Sequence, residues 1–345
     1  MAAALPHLID DGLGGTLAAL ADRTAAEGPW RSGALAALAD AGLLAAFVPV
    51  EHGGTAAAES AITAALVAIA ERCLTTALAL TQWAAAVRII AAGPPAVGAH
   101  LLPPLACGAT FTTVGISQLT TSRRHLGRPA LVATADAGGW RLDGLCPWVT
   151  GADSTHSIVT GAATDDGGQL FFVVPTDAPG LGIDPPLAML ALSGSRTSAV
   201  RFASVRPAHV LPPPASGGLR TGGLSTTALA VGSARASGGM IAREAEARPG
   251  LRGVAADFAA EIAALESRLL AAAAEGIDAA DRDRLRADAN GLVVRVAQAA
   301  LTASKGAGFV AGHRVERLVR ESLFFLVWSC PQAVTDAFLC DLTTG

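Results

Sequence analysis

Residues 131–152 read LVATADAGGWRLDGLCPWVTGA. Residues 131–136 and 140–143 flank Gly138-Gly139, a pair suited to the tip of a β-hairpin. The stretch sits in a run of similar signals. Upstream, Phe111-Thr112-Thr113-Val114 is β-branched and aromatic and predicts a strand. Downstream, residues 157–162 and 169–174 flank Asp165-Asp166-Gly167-Gly168, a second hairpin signal, and residues 199–202 predict one more short strand. Several short strands separated by turn residues predict a barrel or a small sandwich.

On either side of this block the periodicity becomes helical. Residues 1–105 read as helices, with Leu13, Leu17 and Leu20, then Leu35, Leu38 and Ala41, at helical spacing. The segment 42–54, GLLAAFVPVEHGG, ends a helix and turns through Pro49 and the paired glycines Gly53 and Gly54. Residues 57–92 predict one long or two shorter Ala-rich helices, closed by Gly93-Pro94-Pro95. A Pro/Gly-rich linker runs from Leu211 to Gly223. Beyond it Phe258, Ile262, Leu265 and Leu269 share a helical face, and residues 281–303 and 315–327 continue the pattern. The order predicts an α+β chain with a helical domain over 1–108, a β domain over 109–212 and a helical domain over 213–345.

The 345 residues are 51% hydrophobic and only 16% charged, enough to bury two or three cooperating cores. Much of the apolar content is Ala, which suits helices. With a mean hydropathy of +0.45, so little charge predicts an oligomer that hides part of the surface. The net charge is −4 and the arginines are scattered, so no basic stripe for nucleic acid is present. The five cysteines have neither CxxC nor metal-ligand spacing, which suits reduced thiols in a cytoplasmic protein. The first residues, MAAALPHLIDDG, lack the basic start of a secretory signal. The long uncharged stretch 89–122 is interrupted by four prolines, which argues against a membrane span.

The order of domains and several local motifs resemble the acyl-CoA dehydrogenase family over nearly the whole chain. The strongest likeness is Gly139-Trp140-Arg141-Leu142-Asp143-Gly144 followed by Pro147-Trp148-Val149-Thr150-Gly151-Ala152. Others are GLLAAFVPVEHGG, PTDAPGLGIDPP, LSGSRTSAVRF, the turn Gly306-Ala307-Gly308-Phe309, and Arg320-Glu321-Ser322 where the family commonly has Arg-Asp-Ala. The resemblance implies FAD and removal of two hydrogens from an acyl-CoA or acyl-carrier thioester: a carboxylate takes the α-proton and the flavin accepts a hydride. It implies that Trp148 packs on the flavin ring and that Thr150 hydrogen-bonds near its N5. Ile116-Ser117 would meet the pyrimidine edge, and Ser122, with Arg123 and Arg124, the pyrophosphate. Gly306 and Gly308 would meet the cofactor across a subunit interface.

The resemblance also shows where the chain departs from its family. From Gly306 fourteen positions lead to Arg320, and nine more lead to Ser329, where the family usually has its catalytic glutamate. A serine hydroxyl is not ionised at neutral pH without a partner base. Residues 223–232, where other members carry the base, contain no acid. Gln118 replaces the acidic residue of the family's Thr-Glu-Pro segment. Three readings follow: an FAD-dependent acyl-thioester dehydrogenase whose base has moved, a non-catalytic subunit of a mixed assembly with a related chain, and a flavin-dependent oxygenase on the same fold.

Overall fold

The computed structural model describes residue 5 and residues 9–23, 33–120, 129–213, 223–328 and 334–336. Helices α1 (Asp11–Arg23), α2 (Ala34–Asp40), α3 (Glu59–Arg72), α4 (Leu74–Ala91) and α5 (Pro95–Ala106) come first. Residues 57–92 thus form two helices, broken at Cys73, whose extended backbone leaves the helical region. Helix α5 starts with Pro95 in its first turn, where a missing N–H costs nothing, and runs on through Pro103 and Pro104. Those two prolines were expected to interrupt the stretch.

The β domain follows. Strand β1 (Thr112–Gly115) leads into the single turn α6 (Ser117–Thr120). Then come β2 (Leu131–Asp136), β3 (Gly139–Val149), β4 (Ser157–Thr164), β5 (Gln169–Pro175), β6 (Leu181–Ile183), β7 (Ser198–Val205) and β8 (His209–Leu211). They form one mixed sheet in the order β6-β7-β3-β2-β4-β5-β8, with β1 parallel to β4. The path has two ends, so strand pairing among the described residues does not close a barrel. The sheet curls instead: Trp140 on β3 meets Phe172 on β5 edge-on at 6.0 Å, although two strands lie between them. Residues of β2, β3, β4, β5 and β7 share one enclosed core, including Leu142, Phe172, Val200 and Phe202.

Strand β5 shows why this sheet reads as a hydrophobic run rather than an alternation. Phe172 and Val174 point into the sheet's own core, while Phe171 and Val173 join the core shared with the helices. Both faces are covered, so both sets are apolar.

The last part contains α7 (Leu224–Ala247), α8 (Arg252–Glu275), α9 (Ala279–Ser304) and α10 (Arg314–Ser322). Asp278 caps α9 by accepting from the Asp281 N–H at 2.8 Å. The helix expected over 315–327 stops at Ser322 and tightens into a 3₁₀ turn over Leu323–Leu326. Helix α4 is long and apolar enough to cross a membrane, but 78% of it is buried inside the protein, as suits a core helix.

Helix α7 lies close along α3 because Gly232 has no side chain. A Cβ there would collide with the Val67 carbonyl oxygen and stand 2.7 Å from the Ala70 methyl. Gly232→Ala is therefore expected to lower stability by about 1–3 kcal/mol. The check is a reduced urea midpoint at unchanged slope.

Candidate functional site

The site is built where β1 and β3 end side by side. Strand β3 pairs with β7 as Cys146↔Val200 and Val149↔Ser198, three steps on one strand against two on the other. Pro147 and Trp148 form this bulge. Proline has no N–H to give a ladder, and a bulge re-aims the side chains around it. Cys146 and Val149 are both fully buried, and Trp148 between them is turned outward, 49% exposed.

The chain then enters Thr150 and the left-handed residue Gly151. Thr150 is fixed from two sides. Its carbonyl accepts from Thr113 Oγ1 on β1 at 2.8 Å. Its own Oγ1 lies 3.2 Å from Thr197 Oγ1, which lies 2.8 Å from Ser195 Oγ. The Gly151 N–H donates to the Arg196 carbonyl at 3.2 Å. The Arg196 guanidinium closes on the Asp153 carboxylate, and this pairing raises the Arg196 pKa. Leu192 and Arg196 adopt positive φ angles of 61° and 50°, conformations that side chains rarely hold unless the surroundings fix them.

Behind Trp148 lies a buried polar hub. Gln118 on α6 donates from Nε2 to the Gly161 carbonyl at 2.9 Å and to Thr160 Oγ1 at 3.3 Å. Its Oε1 accepts from the Cys146 thiol at 2.9 Å. Burial pushes the Cys146 pKa up to about 12, so this thiol donates a hydrogen bond rather than ionising. Ser117 Oγ stands 4.0 Å from the same sulfur. The hub couples the end of β1, α6 and the bulge. No sequence pattern marked it.

A half-exposed indole beside an oriented hydroxyl suits a flat, hydrogen-bonding ring system. The model for the N-terminal domain of acyl-CoA dehydrogenases matches residues 15–109. The probable acyl-CoA dehydrogenase YngJ of Bacillus subtilis (strain 168) is 28% identical over 218 residues, 58% of this chain and 56% of that protein. The match therefore spans about half the length of that relative. The whole chain superposes on butyryl-CoA dehydrogenase from Megasphaera elsdenii with a TM-score of 0.84, at 20% identity and 97% coverage of each chain. Residues 15–109 thus match the N-terminal domain of acyl-CoA dehydrogenases, and the chain as a whole has the acyl-CoA dehydrogenase fold. The same fold also carries FMN-bound TdsC, a dibenzothiophene monooxygenase of Paenibacillus sp. A11-2, with a TM-score of 0.81, 16% identity, and coverage of 99% of this chain and 97% of that one.

Within this fold the chain brings together four of the residues that the resemblance marked. Trp148 and Thr150 are neighbours on the bulged strand end. Ile116 and Ser117 follow β1, whose Thr113 holds the Thr150 carbonyl. Gly306 and Gly308 lie apart, in the 3₁₀ turn Lys305–Phe309 between α9 and α10, with Gly308 packed against Ser304 and Val315. Ser122 and Ser329 fall outside the described residues. Glu321, eight positions before Ser329 in the sequence, is 5% exposed near the end of α10, with Arg317 Nε 3.7 Å from its carboxylate. It lines a cavity of about 290 Å³ together with Thr75, Ser193 and Arg320. Sequence reasoning missed Thr197 and Ser195, and marked Gln118 only as the replacement for an acidic residue. Pro147 inside a strand was the one available sign that Trp148 faces outward.

Proposed function

We propose that this chain is an FAD-dependent oxidoreductase acting on an acyl thioester of CoA or of an acyl carrier, with the flavin ring against Trp148 and Thr150. The observation that carries this is the bulge at Pro147-Trp148, which presents an indole face next to a hydroxyl locked by Thr197 and Ser195. The flavin, when bound, supplies a two-electron acceptor. The protein's part is position and polarity. Trp148 offers the flat surface, Thr150 offers one hydrogen bond at the ring edge, and the Arg196–Asp153 pair holds the turn between them. Position 329 contributes no proton acceptor, so abstraction of the α-proton is slow in the chain as it stands. Exposed apolar side chains at Phe309, Val310 and Val327, on either side of α10, favour an assembly with a second copy or a related chain. The buried thiols Cys73 and Cys146, neither in a disulfide, suit a cytoplasmic setting.

A second reading, a flavin-dependent oxygenase, is favoured by the same serine and by the likeness to TdsC, because it needs no carboxylate at that position.

A visible spectrum of the purified protein, before and after anaerobic addition of an acyl-CoA, separates these. A flavin band that bleaches supports the dehydrogenase. A band that persists, with oxygen consumed once the flavin is reduced, supports the oxygenase. No band after incubation with FAD sinks both and leaves the non-catalytic subunit.

A further inference from the structure

A second cavity, lined by neither Trp148 nor Thr150, lies between α3, α4, the segment before them and Ser225 at the start of α7, and has a volume of about 280 Å³. Ligand cavities usually start near about 300 Å³, so any occupant is small. Helices α3 and α4 meet at Cys73, and side chains of both, at increasing distance in sequence from that joint, line the cavity as a wedge. Leu66 and Thr81, close to the joint, are 3% and 5% exposed and form its inner end. Glu59 and Arg88, roughly twice as far along each helix, are exposed and form its outer end.

The two ends differ in chemistry. Phe47, Ile62, Leu66 and Ala84 wall the inner part, and Phe47 is braced edge-on by Trp83 at 5.7 Å. The Thr81 hydroxyl there is already engaged, since it donates to the Leu78 carbonyl at 2.7 Å. The outer end carries one guanidinium and one carboxylate. Among the described residues neither makes an ion pair or a side-chain hydrogen bond, and they do not pair with each other across the cavity.

We propose that this wedge between α3 and α4 binds a free apolar α-amino acid, its carboxylate on Arg88, its ammonium on Glu59 and its side chain toward Leu66 and Ala84. Charge decides for the zwitterion. A simple carboxylic acid would bring its anion next to Glu59, and a simple amine would bring its cation next to Arg88. Only a head group carrying both charges gains two charge-assisted hydrogen bonds and meets no like charge. The site is independent of the flavin reading.

Calorimetric titration of the full chain with L-leucine tests this, with isocaproate, isoamylamine and glycine as comparisons. L-leucine is expected to bind saturably and about tenfold more tightly than any of the three. Arg88→Gln and Glu59→Gln, both exposed changes, should each weaken it about tenfold while leaving the circular dichroism spectrum and the flavin content as they were. Absence of saturable L-leucine binding overturns the proposal. So does equal affinity for isocaproate, or an effect from only one of the two substitutions.

Discussion

Replacing Ser329 by glutamate is expected to speed anaerobic bleaching of the bound flavin by an acyl-CoA about 100- to 10,000-fold, the range a positioned general base contributes. The reasoning starts from the register, Gly306 to Arg320 to Ser329 without a gap. The chain reaches position 329 from a fixed anchor. Arg286 on α9 is fully buried, its Nη2 donates to the Trp328 carbonyl at 3.3 Å, and its guanidinium lies 5.7 Å from the Phe325 ring centre and 5.9 Å from that of Trp328. Trp328 in turn stacks on Phe324 at 4.9 Å. A new carboxylate is thus attached one residue beyond a clamped peptide. Ser329→Gln has the same bulk without the base and is expected to stay slow. Stopped-flow absorbance with a short- or medium-chain acyl-CoA reads the rate, and flavin content is measured on each variant. Equal rates for all three proteins with flavin bound would mean that the base, if there is one, stands elsewhere.

The domain order was legible in the sequence because it rests on a change of period, from the helical spacing of Leu35 and Leu38 to the hairpin signals around Gly138 and Gly167. Helix ends were less so. Cys73 carries no turn signature, yet it breaks the Ala-rich run. Pro103 and Pro104 look like breakers, yet α5 passes through them. Strands β6 and β8, of three residues each, were too short to show a period.

The site was half legible, and the division has a physical cause. Trp148 and Thr150 could be marked because both belong to one local motif. Their partners could not, because a hydroxyl chain through Thr197 and Ser195 and a hub through Gln118, Cys146 and Gly161 join residues far apart in the chain. Such contacts leave no spacing to read. Gln118 illustrates this best: in sequence it looked like a lost acid, while in the structure every polar atom of its amide is engaged.

That engagement makes the return to glutamate costly. Gln118→Glu is expected to destabilise the protein by about 3–5 kcal/mol at neutral pH, the range for leaving an uncompensated charge in the interior. Gln118 is 7% exposed, and its Nε2 faces the Gly161 carbonyl at 2.9 Å, Thr160 Oγ1 at 3.3 Å and the Gly115 carbonyl at 3.4 Å. Thr160 Oγ1 has already given its proton to the Gly115 carbonyl at 2.6 Å, so it does not turn to serve a carboxylate. A glutamate oxygen in place of Nε2 would face acceptors only, with the Cys146 thiol as the remaining donor on the other oxygen. Burial then raises the folded-state pKa of the new carboxyl above its unfolded value. The sign follows by linkage: below the unfolded pKa both states are protonated and the carboxyl O–H can donate to Gly161, so the deficit is smallest there. It grows as pH rises and is complete above the folded pKa. Gln118→Met removes the same hydrogen bonds without adding charge, and its smaller deficit, about 1–3 kcal/mol, should not vary with pH. Urea denaturation of the three proteins across a pH series reads both effects. A Gln118→Glu deficit that stays constant with pH, or an increase in stability toward the family's usual acid, would show that Gln118 is not the buried donor described above. Because Cys146 precedes the bulge that presents Trp148, the glutamate variant should also lose flavin affinity under conditions where it remains folded.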